Sequence, residues 1–156
     1  MKNCIFCKIA RGELNCHKVW EDNNYMAFLG IFPNTLGMTV VIPKKHYSSY
    51  VFKMSDSDLK RFMIAVKKVA KILDNFFEDV GRTALVFEGF GVDHVHAKLY
   101  PMHGTNVKKW EPILSGEKNK KYFDKYEGYI SSHDADAADD IKLSKLAKKI
   151  YESAKK

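Results

Sequence analysis

The strongest periodic signal in the chain begins at Ser55. Leu59, Phe62, Met63, Val66, Val69, Ala70, Leu73, Phe76 and Phe77 recur at intervals of three and four, which lines one broad face of a helix. Ser55 followed three residues later by Asp58 reads as its start, a capping-box pattern with Asp in place of the longer Glu. Gly81, in "EDVGR" (78–82), breaks it. Elsewhere the apolar runs have strand length. "KVWE" (18–21) and "YMAFLG" (25–30) flank the turn residues Asn23 and Asn24. "MTVVIP" (38–43) is a third strand, stopped by Pro43 and set off by the loop "IFPNTLG" (31–37). "TALVFE" (83–88) is a fourth, followed by the tight link Gly89–Phe90–Gly91.

The fifth run, "VDHVHAKLYP" (92–101), alternates differently. Val95, Ala97 and Leu99 point one way, while His94, His96 and Lys98 point the other. Residues 4–11 predict a short helix or turn around Cys4-x-x-Cys7. Residues 104–133 lack periodicity, with Tyr122, Phe123, Tyr126 and Tyr129 available to pack on the domain or a partner. A last helix is expected over 136–154, with Asp136, Asp139 and Asp140 at its start and lysines at its end, as the helix dipole favours. Its buried stripe is Leu143, Leu146, Ala147, Ile150 and Tyr151.

These elements predict one domain over 1–156 with an α+β fold: a mostly antiparallel sheet, one long central helix and a C-terminal helix. A dinucleotide-binding α/β fold fits poorly, because there is no GxGxxG and there are too few βαβ units. At 156 residues, 46% of them hydrophobic and 29% charged, the chain can bury a core without disulfides. Its three cysteines are an odd, low count, against a disulfide scaffold. No run of about 18 apolar residues and no secretory leader are present, so the expected location is cytoplasmic, away from membranes. The formal charge of +7 favours anionic partners without choosing among nucleotide, nucleic acid and acidic protein. Much of it lies in the segment after Gly104 and in the last helix, where lysines read as a solvated face.

The histidine row adds candidate chemistry. A neutral imidazole is available as a nucleophile near pH 7. Attack on phosphorus needs one bare ring nitrogen, cations for the nonbridging oxygens and help for the leaving group. Alternate strand positions about 6.5–7 Å apart can surround one phosphate chain. Gly89 and Gly91 can offer backbone N–H groups at close approach. The competing reading makes His94 and His96 hydrogen-bonded structural residues. A third makes Cys4, Cys7, His46 and one strand histidine a closed four-ligand zinc site, leaving Cys16 as a small buried residue.

Three segments, "CIFCKIARGE", "FLGIFPNTLGMTVVIPKKH" and "HVHAKLYPMH", together resemble the histidine triad (HIT) family of nucleotide-binding proteins over roughly residues 3–103. The resemblance implies a homodimer that binds purine nucleotides, nucleotide conjugates or dinucleoside polyphosphates. It implies hydrolase or transferase chemistry at the α-phosphorus through a nucleotidyl-histidine intermediate. By position the nucleophile is His96, and His94 matches the first triad histidine. The third triad position is Lys98, which holds a phosphate oxygen as a point charge and should keep His96 neutral. The hexose-1-phosphate nucleotidyltransferase branch also lacks the third histidine. Two positions that contact the sugar or flank the loop in many relatives are Gly30 and Met38 here, and Asn34 is a substitute contact. Gly91 stands where many relatives have Ser or Thr. The base pocket is expected from Phe6, Ile9, Phe28, Leu29 and Ile31. The metal ligands become Cys4, Cys7, His46 and His94, holding structural zinc. A nucleotide phosphoramidase or dinucleoside polyphosphate hydrolase is thus the leading expectation. The alternatives are a non-catalytic module that holds a nucleotide or adenylylated partner and a basic protein that binds nucleic acid nonspecifically.

Overall fold

In a computed structural model of the protein, residues 3–108 and positions 139 and 141 are described. The helix expected over 136–154 and the aromatic-bearing segment beyond 108 lie outside them, apart from those two positions. The chain divides into two compact units, Met1–Lys109 and Trp110–Lys156, and every element below belongs to the first.

Helix α1 (Ile5–Ala10) precedes strands β1 (Lys18–Glu21), β2 (Tyr25–Leu29) and β3 (Thr39–Pro43). A single 3-10 turn (Val51–Lys53) leads to helix α2 (Asp56–Phe76), followed by β4 (Thr83–Val86) and β5 (Ala97–Pro101). The strands form one sheet in the order β1-β2-β3-β5-β4, and every neighbouring pair is antiparallel. The β1–β2 turn is built locally: Asp22 Oδ1 accepts the backbone N–H groups of Asn24 and Tyr25, each at 2.8 Å.

Helix α2 starts where the capping pattern places it. Ser55 Oγ accepts the N–H of Asp58 at 3.2 Å, but the Asp58 carboxylate takes the Ser55 hydroxyl proton and makes no return bond to the Ser55 N–H. The shorter Asp side chain thus forms half of a capping box. The apolar face of α2 (Phe62, Val66, Val69, Leu73) packs on Ala27, Val41, Ala97 and Leu99 of the sheet. Phe62 is fully buried, stacked on Tyr25 with ring centroids 5.7 Å apart. The other face of the sheet carries Met26, Phe28, Val40 and Ile42, covered by Phe6, Ile9 and Ala10 of α1. No helix among the described residues is long and apolar enough to cross a membrane.

The fourth and fifth strands are shorter than their apolar runs. The fourth ends at Val86, and the fifth begins at Ala97, not Val92. The intervening backbone bonds elsewhere: Val95 N–H donates to Tyr47 O at 3.0 Å and His94 N–H to Val92 O at 2.8 Å. Asp93 Oδ1 takes the N–H of Ser49 at 2.8 Å. Gly89 and Gly91, at φ +75° and +87°, turn the chain through conformations that side chains disfavour. His94 and His96 therefore sit on a folded-in segment before the strand, with only Lys98 on β5 itself.

Candidate functional site

Four ligating side chains from three parts of the chain converge. Cys4 caps α1 and Cys7 lies in its first turn, a spacing that puts both sulfurs on one side of a helix. His46 follows β3, and His94 comes from the segment before β5. The ligand atoms of all four lie within 4.8 Å of one another. His94 Nε2 is 2.8 Å from the carbonyl oxygen of Pro43. A carbonyl only accepts, so Nε2 carries the proton and Nδ1 presents its lone pair. That lone pair faces Cys4 Sγ and Cys7 Sγ, each at 3.5 Å, while His46 Nδ1 lies 3.4 Å from Cys7 Sγ.

These separations test a metal directly. A tetrahedral zinc ion with Zn–S of about 2.3 Å and Zn–N of about 2.05 Å requires sulfur-to-nitrogen edges of about 3.5 Å. The donor set, the tautomer of His94 and the edges all suit such an ion, so the group can hold a metal. Burial, then the neighbouring Cys4 thiol, pushes the Cys7 thiol above its ordinary range. A bound cation would reverse that shift, because it ligates the thiolate. An open cleft lined by Asn3, Cys4, Ile5, His46, Gly91, Val92 and Asp93 reaches this cluster, whereas His96 and Lys98 do not line it.

His96 is built by the same logic. Its Nδ1 lies 2.8 Å from the carbonyl oxygen of His94, so Nδ1 holds the proton and Nε2 is left bare. The ring is 3% exposed. Burial lowers its proton affinity first, the bond to His94 O opposes this, and the Lys98 charge lowers it further. His94 is pushed the same way, chiefly by burial and then, against the Pro43 bond, by His46 and His96. The expectation that Lys98 disfavours the imidazolium thus agrees with the arrangement, although burial is the larger cause.

Lys98 lies opposite Val40 in the β3–β5 register, which puts it on the α1 face of the sheet. It forms an ion pair with Glu88, both side chains being partly buried. Sequence pattern gave no sign of this partner. Glu88 reads as the end of the fourth run, and only the pairing of Val86 with Lys98 brings it near.

The expected base-pocket residues separate into two groups. Phe6 packs edge-on against His96 (5.3 Å), His94 (5.9 Å) and Phe28 (5.7 Å), and Ile9 joins the same apolar cluster. Leu29 alternates to the other face of β2, and Ile31 and Asn34 are exposed on the following loop. Gly30 and Met38 touch: Gly30 N–H donates to Met38 O at 3.0 Å, and a Cβ on Gly30 would meet Met38 Cε at 2.3 Å. The loop between them is held from outside by His103. Its Nε2 lies 3.0 Å from Leu36 O and its Nδ1 3.0 Å from Asp79 Oδ1. Cys16 is partly buried at the edge of the Met26/Phe28 cluster.

Fold and site together define an antiparallel α+β domain in which a buried histidine with one bare ring nitrogen lies two residues from a member of a Cys₂His₂ cluster and two from a lysine. The chain belongs to the HIT family: the HIT domain model matches residues 11–104. Protein hit of Bacillus subtilis is 38% identical over 107 residues, covering 66% of this chain and 73% of that protein. Adenosine 5'-monophosphoramidase hnt1 of Schizosaccharomyces pombe is 38% identical over 103 residues, covering 64% and 74%. Among solved structures, a member of the HIT family from Bacillus subtilis superposes with a TM-score of 0.62 at 27% identity, covering 96% of each chain.

Proposed function

We propose that the protein is a nucleotide hydrolase or nucleotidyltransferase acting at the α-phosphorus of purine nucleotide conjugates or dinucleoside polyphosphates, with His96 as nucleophile. The observation that carries this reading is the Nδ1 bond from His96 to the His94 carbonyl, which leaves Nε2 with its lone pair in a neutral, buried ring. Nε2 attacks phosphorus and forms an N–P bond while the bond to the leaving group breaks. Water, or another acceptor hydroxyl, then attacks the same phosphorus and returns the neutral imidazole. Lys98 holds the nonbridging oxygens as a cation at the third triad position. Phe6, Ile9 and Phe28 supply apolar surface for the base, with Leu29, Gly30, Ile31 and Asn34 on the loop side and Gly89 and Gly91 on the phosphate side. The names of two yeast relatives, both adenosine 5'-monophosphoramidases, support the reaction class.

Zinc is the metal that Cys4, Cys7, His46 and His94 suit. With four protein ligands it would have no open position, and its role would be to staple α1 and the His94 segment to the sheet. A homodimer is part of the same reading, and β1 and β4 are the outer strands of the described sheet. A binding module without turnover is favoured by one specific observation: the buried Met38 side chain packs against Gly30, so neither position offers a polar side chain to grip the sugar.

Intact-protein mass spectrometry decides between them. Wild type and His96→Ala are mixed with an adenosine phosphoramidate or a dinucleoside polyphosphate and quenched within seconds. A transient mass gain of one nucleotidyl group in wild type alone supports the enzyme. Nucleotide binding with no adduct and no released AMP would mean a binding module.

A further inference from the structure

Cys4 and Cys7 meet solvent differently. Cys7 is 5% exposed, whereas Cys4 is partly exposed and lines the open cleft of about 420 Å³ together with His46, Gly91 and Asp93. The ligand cluster therefore has one sulfur within reach of a small solute and a second beneath it. The two sulfurs lie within 4.8 Å of each other. Both are free thiols, and Cys16 stands apart from them at the edge of the Met26/Phe28 cluster.

The chain between the two sulfurs can close. Residues three apart on a helix hold their Cβ atoms about 5–6 Å apart, and a disulfide needs about 3.5–4.5 Å. Cys4 can supply the difference, because it lies outside α1 in an extended conformation (φ −70°, ψ 122°) and its side chain makes no cap bond. Closure would remove two of the four donors together, since it is the thiolate that ligates a metal and a disulfide sulfur carries no such charge. His46 and His94 would remain, two imidazoles where a closed tetrahedral site takes four donors.

We propose, on the zinc reading of the cluster given above, that Cys4 and Cys7 are an oxidation site: hydrogen peroxide entering the cleft converts them to an intramolecular disulfide and discharges the metal. The Cys4 thiolate attacks one peroxide oxygen, the O–O bond breaks and hydroxide leaves, giving a sulfenic acid on Cys4. The Cys7 thiolate then attacks the Cys4 sulfur, the S–O bond breaks and a second hydroxide leaves. Two thiolates give up two electrons, one peroxide takes them, and the two hydroxides take their protons from solvent. His94 Nδ1, which faces both sulfurs at 3.5 Å, loses its link to α1 in the oxidised form. Thiol–disulfide exchange with a small dithiol restores the pair.

The test uses the full chain reconstituted with zinc and exposed to hydrogen peroxide. A chromogenic chelator reports free zinc, and peptide mapping after thiol alkylation reports the sulfurs. Loss of bound zinc and loss of two of the three free thiols should proceed together. The peptide carrying Cys4 and Cys7 should become lighter by two hydrogens, and dithiothreitol with added zinc should reverse both changes. Cys16→Ser should lose zinc and form the disulfide at the wild-type rate. Zinc retained at a peroxide dose that consumes the thiols of the denatured chain would overturn the proposal. So would a sulfinic acid on Cys4 without a disulfide, or a disulfide that includes Cys16. Each of these three results would leave the zinc reading standing. A chain that takes up no zinc yet forms the Cys4–Cys7 disulfide would overturn both the metal discharge and the zinc reading.

Discussion

His96 donates its Nδ1 proton to the backbone carbonyl of His94 over 2.8 Å, and His94 turns its own Nδ1 toward the sulfurs of Cys4 and Cys7. The side chain that faces the ligand cluster thus belongs to the residue whose backbone sets the tautomer of the proposed nucleophile. Whatever fixes His94 fixes the bare nitrogen of His96.

The first prediction concerns this linkage. Purified protein should carry about one equivalent of zinc, and Cys7→Ser should lose it. The variant should melt at least about 5 °C lower, equivalent to about 2 kcal/mol for a chain of this length. Its adduct-forming rate should fall as well, although Cys7 does not touch His96. Elemental analysis with calorimetry checks this. Full metal content in Cys7→Ser would remove Cys7 from the ligand set.

A second prediction is a pH dependence carried by His103. Both of its nitrogens face acceptors, the Leu36 carbonyl and the Asp79 carboxylate, so the ring is doubly protonated when both bonds form. Those two partners raise its proton affinity, the Leu36 bond most. A raised folded-state value means that the stabilisation is complete below the ordinary histidine pKa of about 6.5 and is lost as pH rises through the higher folded value. Amide exchange across residues 31–37 should accelerate over that window beyond its intrinsic pH trend, and His103→Ala should abolish the extra acceleration. An NMR titration of His103 giving a pKa below 6.5 would contradict it.

Glycine substitutions should separate by what they meet. A methyl group on Gly30 meets the end of the Met38 side chain, which can swing away, so Gly30→Ala should cost less than about 1 kcal/mol. Gly37 is at φ +79° and a Cβ there meets the Phe77 ring at 2.6 Å. Gly37→Ala should cost about 1–3 kcal/mol. Denaturant melts of the two variants test the order, and a reversed order would place the loop differently.

Ser55→Ala should cost about 1 kcal/mol, the usual value for a cap whose oxygen accepts one backbone N–H. Asp58→Glu should stabilise, since the longer side chain can reach the Ser55 N–H that Asp58 leaves without a return bond. Urea unfolding of both variants reads out the two halves of the box separately.

Much of this protein is written in local pattern. The three- and four-residue spacing from Leu59 to Phe77 determines α2, because an apolar stripe of that period has to be buried on one side. The alternation Val95-Ala97-Leu99 determines which side of the final run enters the core, and all three residues are buried there. Residue chemistry, together with the resemblance carried by three segments, named the four side chains that cluster as candidate ligands and the two histidines. What the sequence did not contain is the fate of backbone groups and of register. His94 and His96 leave the ladder because Val92, two residues back, accepts the N–H of His94 and Tyr47, distant in sequence, accepts that of Val95. The Glu88–Lys98 pair exists because Val86 is registered on Lys98, and the Met38–Gly30 contact exists because a loop closes on itself. Periodicity reports which side chains must be buried. Hydrogen-bond geometry between distant segments decides which imidazole nitrogen keeps its proton, and that required the folded chain.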